Sequence, residues 1–463
     1  MAQGRTLDMT QGSILPKMLQ FAVPMMLGNL FQHLYNLADM TIAGYALGDH
    51  ALAAISATVA LVTLINTTAM GFNTGNTILM AQAFGAGEWD RTRRSFAGAV
   101  ELCLALIAIL TAGLCLLINP LLRLIQTPSD LYIDARAYII ILIAGLCATM
   151  LYNLLAGAFR ALGNSRVPLL FLIFSSVLNV ILDLIFMVPL RMGVRGAALA
   201  TVVAQGISAV LSALYFYKSY PRLRPRWSDF HGNSALVKDM LPMGISAALT
   251  NSLFAIGDIA IQGALNGLGQ DAIIAKGAAR KLLSFCIIPS VCISNTCATF
   301  AAQNYGAGRL DRIARGLKAA NLFSLCCNVV TFLLVFFFGG TIIQLVTNTG
   351  SEAVVKNGVL LMRISAAFIF TQTIVMSFRM AVQSMKRKLI PIMGTGIELL
   401  TRCFCAFILT PSIGFLGICF AEPLSWVVSG AAMVVCYILV MRRERLVREA
   451  YGVEAQTSQE GLL

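Results

Sequence analysis

Apolar runs of bilayer length follow one another along almost the whole chain, separated by short polar segments. A helix needs about 20 consecutive apolar residues to cross the hydrocarbon core. Twelve runs reach that length, at roughly 14–45, 51–83, 94–120, 131–156, 167–190, 194–218, 237–268, 272–301, 314–346, 354–379, 389–411 and 414–441. The pattern predicts an all-α integral membrane protein with twelve transmembrane helices. Pro24 and Pro242 fall inside the first and seventh runs, where proline removes an internal hydrogen bond and kinks a helix. The polar stretch from Lys218 to Trp227 separates spans six and seven. The expected organisation is therefore an N-terminal segment (1–13), a six-helix lobe (14–218), a linker (219–236), a second six-helix lobe (237–441) and a tail (442–463).

The two halves repeat. The segment from Gly71 to Arg91 matches the one from Cys292 to Arg312 at a shift of 221 residues. Gln82, Gly85, Ala86, Gly87, Asp90 and Arg91 fall on Gln303, Gly306, Ala307, Gly308, Asp311 and Arg312. Pro168 falls on Pro391 and Gly193 on Gly414 at nearly the same shift. Six spans is an even number, so both copies enter the membrane from the same side. Parallel repeats of this kind are related by a pseudo-twofold axis along the membrane normal, with a substrate site at the interface of the repeats.

Composition agrees with a membrane protein. The chain is 58% hydrophobic and 12% charged, against about 25% charged in soluble domains. The net charge of +13 does not gather on one amphipathic face, so it reads as topology and not as a nucleic-acid surface. With the N-terminus inside, 23 of the 34 Lys and Arg fall on the inner side and 9 on the outer. The positive-inside rule then puts both termini in the cytoplasm. The twelve cysteines form no CxxC pair, and His33, His50 and His231 are scattered, so neither a disulfide framework nor a structural metal or other cofactor is expected.

Acidic residues inside the apolar runs carry the functional signal. A carboxylate there costs a few kcal/mol and marks an ion or proton path. Asp39 lies near the end of span one and Asp183 near the end of span five. Counting at ~1.5 Å per residue puts Asp39, Asp183 and Thr201 at one depth, ~9–10 Å below the outer rim. Asn179 and Tyr35 each stand four residues before an acid, on the same helical face. Two carboxylates, an amide oxygen and a hydroxyl at one depth could cage Na⁺, or the acids could share a proton. The second half has Asp258, Glu398 and Glu422, with Glu422 falling on Thr201 and nothing acidic on Asp183. Glu398 and Arg402 are four apart and are expected to pair, while Lys276, Arg280 and Lys281 could neutralise Asp258 or line a pathway. Met25 and Phe254 are among the apolar residues that could line an adaptable cavity, since Met-rich surfaces suit varied ligands.

The Tyr35-Asn-Leu-Ala-Asp run, the Gly75-Asn-Thr-Ile-Leu-Met-Ala-Gln-Ala-Phe-Gly-Ala-Gly segment and Phe159-Arg-Ala-Leu-Gly-Asn-Ser-Arg-Val-Pro, in this order, resemble the MATE (multidrug and toxic compound extrusion) family. The resemblance covers residues 10–441, and the Asp39/Asn179/Asp183/Thr201 pattern resembles its bacterial DinF/MepA-like branch. It implies a V-shaped, outward-open pair of lobes in the bacterial inner membrane. That protein would be a monomer exporting amphipathic, mainly cationic small molecules in exchange for H⁺ or Na⁺. It further implies a cation site at Asp39, Asn179, Asp183 and Thr201, the metal being Na⁺ if sodium is the coupling ion. Gln32, Tyr35 and Asn153 would lie near the drug cavity, joined here by Met25, Phe254 and Asp258. Glu398, Glu422 and Arg280 remain as second-lobe charges whose place in a cation site is open.

Other classes fit less well. An intramembrane aspartyl protease needs Tyr-Asp and Gly-x-Gly-Asp, whereas Asp39 follows Ala38 and Asp258 follows Ala-Ile-Gly; the chain is not expected to be an enzyme. No phosphate-binding Gly-x-x-x-x-Gly-Lys-Ser/Thr loop occurs, which excludes a self-powered ATP pump. A lipid-linked oligosaccharide or metabolite flippase of the same superfamily is the alternative, although it would favour a more basic cavity.

Overall fold

The structure is a computed structural model that describes residues 6–125, 127–230, 234–347 and 351–450. His231 and the tail beyond residue 450 lie outside the described residues. Within them the chain is helical and carries no strand, because hydrocarbon leaves each backbone polar group to be satisfied within its own segment. The helices are α1 (Ile14–Gly85), α2 (Trp89–Leu124), α3 (Tyr132–Ala144), α4 (Leu146–Ala161), α5 (Arg166–Met187), α6 (Val194–Ser219) and α7 (Ser234–Asn266). They continue as α8 (Gln270–Cys286), α9 (Ile288–Gly306), α10 (Leu310–Thr347), α11 (Glu352–Ser384), α12 (Leu389–Phe404), α13 (Thr410–Ile413) and α14 (Phe415–Ala450). Among the described residues nine helices are long and apolar enough to cross a membrane, or up to twelve if each bent pair is one crossing.

The breaks have local causes. Gly48, at φ 77°, divides α1 into the first two spans without a loop. α3 and α4 form a pair bent by 48°, with the break at Gly145; a Cβ at Gly145 would run into Val202. α8 and α9 are bent by 46°, and Pro289 stands at the start of α9. α1 and α7 remain helical through Pro24 and Pro242.

The contacts group the chain into two compact units. The first holds the segment up to Met9 with Leu19–Asn251, and the second holds Thr10–Met18 with Ser252 onward. The division falls inside α7 and not in the polar linker. The physical reason is a close helix contact in the first unit. A Cβ on Gly71 would stand 2.7 Å from Ala248 N, one on Gly75 2.8 Å from Gly244 N, and one on Gly244 2.6 Å from Phe72 Cδ1. Small residues let these backbones touch, the usual means of packing helices in lipid. Asn251 adds a hydrogen bond to Thr67 O at 3.1 Å.

In the first unit α6 packs on α3, α4 and α5, and α2 packs on α3 and α4. Leu79, Cys103, Leu146, Met150, Leu154 and Met240 form one of its apolar cores. The linker is held to α2 by Asp229, which is buried. Arg93 donates to it from Nε at 2.8 Å and from Nη2 at 3.2 Å, and Arg226 N–H donates at 2.7 Å. Burial pushes the Asp229 carboxyl up, but these hydrogen bonds and the charges of Arg93 and Arg94 outweigh it and hold the group below the usual carboxylate range. In the second unit α11 is central, packing on α8, α9, α10 and α14.

The sequence repeat is also a structural one. Gly87 and Gly308, at φ 75° and 76°, end α1 and α9 in the left-handed conformation that glycine adopts without strain. Glu88 N–H then donates to Ala83 O and Arg309 N–H to Asn304 O. The flanking charges differ in their work. Asp90 pairs with Arg93, whereas Asp311 pairs with Arg445. Arg91 pairs with Glu88, whereas Arg312 donates to the carbonyls of Gly12 and Gln11.

Candidate functional site

Three helices of the first unit bring the predicted acidic set together. Asp39 and Tyr35 come from α1, Asn179 and Asp183 from α5, and Thr201 from α6. Asp183 and Asn179 are fully buried, and Asp39, Tyr35 and Thr201 are half-buried. The Asp39 and Asp183 carboxyls interact directly with each other. Tyr35 faces the Thr201 hydroxyl, and Tyr138 stands near both acids. Oδ1 of Asp39 and Oδ1 of Asp183 are each buried and accept from no donor among the described residues.

Asn179 orders the cluster. In the amide orientation that satisfies both of its ends, its nitrogen donates to Asp183 Oδ2 at 2.8 Å and its oxygen accepts from Thr201 N–H at 3.0 Å. Thr201 Oγ1 donates to Ala197 O at 3.1 Å. The amide therefore offers Asp183 a donor, and its oxygen is turned to the α6 backbone. This differs from the expected cage in which the amide oxygen joins the two carboxylates around one cation. Among the described residues no group of three or more His, Cys, Asp and Glu is placed to hold a metal.

A cavity of about 170 Å³ lies in the same unit, lined by Pro24, Met25, Gly28, Asn29, Gln32, Met70, Tyr152, Asn153, Ala156, Arg160, Ser165, Pro168, Leu169 and Leu172. Three of the residues expected at a substrate cavity, Met25, Gln32 and Asn153, meet here. Tyr35 does not line it and stands at the acidic cluster, about one α1 turn from Gln32. Arg160 was missed by sequence reasoning, which counts it among the inner-loop charges. The available signal was its place in the last turn of a span, behind the buried Phe159.

The remaining predicted residues form a separate charge network in the second unit. Asp258 Oδ2 accepts from Arg280 at 2.6 Å and Asp258 Oδ1 from Arg402 at 2.9 Å. Phe254 lies against the guanidiniums of Arg379 and Arg402, with ring centroids 5.0 and 5.5 Å away. The expected Glu398–Arg402 pair does not form. Glu398 pairs with Arg379 and accepts from Ser429 Oγ at 3.1 Å, leaving Arg402 to Asp258. The four-residue spacing was a weaker guide than charges on neighbouring helices. Lys276 is buried, and Glu422 is the acid that acts on it most strongly. Every acid of this network thus has a basic neighbour, whereas among the described residues none is found at Asp39 or Asp183.

Comparison with known proteins places this geometry. The model of the MatE family matches residues 24–185 and again 246–408, well over half of the chain. The chain belongs to the MatE family. The two matches fall one on each sequence repeat. This MatE chain is 29% identical over 344 residues to the probable multidrug resistance protein YpnP of Bacillus subtilis, spanning 73% of this chain and 76% of that protein. It is 27% identical over 327 residues to the FAD transporter of Shewanella oneidensis, spanning 69% and 72%. Its fold superposes on a crystal structure of a MATE protein in complex with MaL6 with a TM-score of 0.89 at 19% identity, covering 96% of this chain and 99% of the other. The twelve-helix membrane fold expected from the apolar runs is that of these proteins.

Proposed function

We propose that this MatE protein is a secondary active multidrug exporter, expelling amphipathic, mainly cationic compounds in exchange for an inward-moving cation bound at Asp39 and Asp183. The observation that carries the reading is the carboxyl pair, with one buried oxygen on each lacking a donor among the described residues. Two ionised carboxylates in contact repel each other in a low-dielectric interior. A proton shared between them, or a small cation, removes that cost.

The amide orientation favours the proton. Asn179 gives Asp183 an N–H and turns its oxygen to Thr201 N–H, so the amide oxygen that a sodium shell would need faces the α6 backbone. Sodium prefers a fuller oxygen shell; a shared proton needs only the two acids.

Coupling to cargo can run through α1. Asp39, Gln32 and Met25 lie on this one helix, the first at the acid pair and the others at the cavity. Neutralising the pair changes the balance of forces on α1 and hence on the cavity wall. With the pair ionised, its negative charge attracts a cationic compound; with the pair neutral, that attraction is gone. The exchange of one for the other is the antiport. In this reading the membrane is the bacterial cytoplasmic membrane with both termini inside, an orientation that the excess of Lys and Arg on the inner side supports.

The test is ethidium transport by full-length protein in proteoliposomes, with pH and Na⁺ gradients imposed separately. The reading expects transport under the pH gradient and its loss in Asp39→Asn. Wild-type rates in Asp39→Asn and Asp183→Asn alike would sink it.

A further inference from the structure

The cavity of the first unit has one charged residue in its wall, and it is a cation. Arg160 lines it beside Asn29, Gln32, Asn153 and Ser165, with no acid among the lining residues. Its side chain has no ion pair or hydrogen bond among the described residues. Arginines within the spans of the second unit are treated otherwise. Arg280 and Arg402 are bound to Asp258, and Arg379 to Glu398. A guanidinium that lines a cavity without a partner is costly and is normally matched by one.

The internal repeat supplies a control. Pro168 and Pro391 stand at equivalent places near the starts of α5 and α12. Five residues before each, Gly163 and Lys386 adopt left-handed conformations at φ 76° and 61°. In that alignment Arg160 corresponds to Gln383. The turn therefore forms with a neutral residue, and the backbone does not require the charge. A cation in the last turn of α4 does favour the helix dipole, but that role is served by a side chain reaching water and does not call for one lining a cavity.

We propose that Arg160 makes this cavity a binding site for an anionic group, a carboxylate or a phosphate carried by an amphipathic molecule. A planar guanidinium donates to either one in bidentate fashion. Asn29, Gln32, Asn153 and Ser165 are neutral polar residues that can complete its hydrogen bonds without competing for the charge. The proposal rests on the cavity being the substrate cavity of the exporter, and it narrows the cargo. An amphipathic molecule that carries an acid would be held at Arg160, at the cavity and apart from the Asp39–Asp183 pair. The same chemistry could come from an anionic lipid headgroup.

The experiment is a fluorescence titration of full-length protein in phosphatidylcholine nanodiscs. The probes are 11-(dansylamino)undecanoic acid and its methyl ester, with empty nanodiscs subtracted. Wild type is expected to bind the acid about tenfold more tightly than the ester, as a charge-assisted hydrogen-bond pair gives. Arg160→Gln, the residue of the other repeat, should bind both alike. Arg160→Lys should keep part of the preference and shows that a loss is not misfolding. Displacement of the acid by added phosphatidylglycerol identifies a lipid headgroup as the ligand; no displacement identifies a soluble acid. Equal binding of acid and ester by wild type, or an acid preference unchanged in Arg160→Gln, overturns the proposal. The titration needs no gradient, so Asp39→Asn should retain the acid preference whether or not the coupling scheme survives.

Discussion

Asp39 on α1 and Asp183 on α5 meet carboxyl to carboxyl, and each keeps one buried oxygen without a donor among the described residues. A carboxyl pair in this state lacks one positive charge. Replacing either acid by asparagine supplies donors to the other and removes the need for the ion. Asp39→Asn and Asp183→Asn should each abolish gradient-driven ethidium transport while leaving the protein inserted. Thermal unfolding should be unchanged or occur at higher temperature, because a buried repulsion has been relieved. Transport assays paired with melting curves check both halves.

Asn179 predicts a milder phenotype. Its amide joins Asp183 to the Thr201 backbone. Asn179→Leu keeps the branched shape and leaves Asp183 with one donor fewer. A lost hydrogen bond to a buried charged group costs about 1.5–3 kcal/mol. Transport should persist with a shifted dependence on the coupling-ion concentration. Rates measured across pH and Na⁺ in that variant read the shift.

In the second unit the acids are tied to arginines. Asp258→Asn should leave Arg280 and Arg402 without their carboxylate and lower stability by about 3–5 kcal/mol, the cost of breaking a buried ion pair. Partial exposure of Asp258 places it at the low end. Ion-coupled transport by the protein that still folds should remain. Denaturation midpoints and transport rates per folded molecule separate the two effects.

The linker clamp gives a pH dependence outside the membrane. Asp229 is held below the usual carboxylate range by Arg93. A carboxyl depressed in the folded state stabilises it above the unfolded value, and the contribution is lost as pH falls through the folded value. Wild-type stability should therefore hold from neutrality down to about pH 4, the unfolded value, and decline below it. Asp229→Asn should be less stable at pH 7 and show a flatter decline. Melting curves between pH 3 and 7 make the comparison.

The glycine contact between α1 and α7 carries the remaining prediction. Gly75→Leu forces a side chain against the backbone at Gly244. Overpacking of this kind costs about 1–3 kcal/mol, and backbone on one side leaves little room to relax. The variant should unfold at lower temperature, while Gly113→Leu, where a Cβ meets nothing within 4 Å, should not.

Much of this was legible in the sequence. Spans are written in runs of apolar residues because lipid demands whole helices, and the repeat is written in glycines that end α1 and α9. The acid pair was legible because carboxylates are rare at depth. Pairings across helices were not. Glu398 chose Arg379 over the nearer-in-sequence Arg402, since helix packing decides which charges meet. The boundary inside α7 depended on Gly71 meeting Ala248 and Gly75 meeting Gly244, contacts between residues about 170 apart in sequence. Arg160 was hidden because a cation near a span end reads as topology until the cavity around it is seen.

The coupling can be run backwards. An ethidium gradient is imposed on proteoliposomes without any ion gradient, and internal pH and Na⁺ are followed together. Linkage is reciprocal, so cargo moving one way must drive the coupling ion the other. The account predicts proton movement opposite to ethidium in wild type and none in Asp39→Asn. Ethidium movement without any accompanying ion, or proton movement that persists in Asp39→Asn, would contradict it.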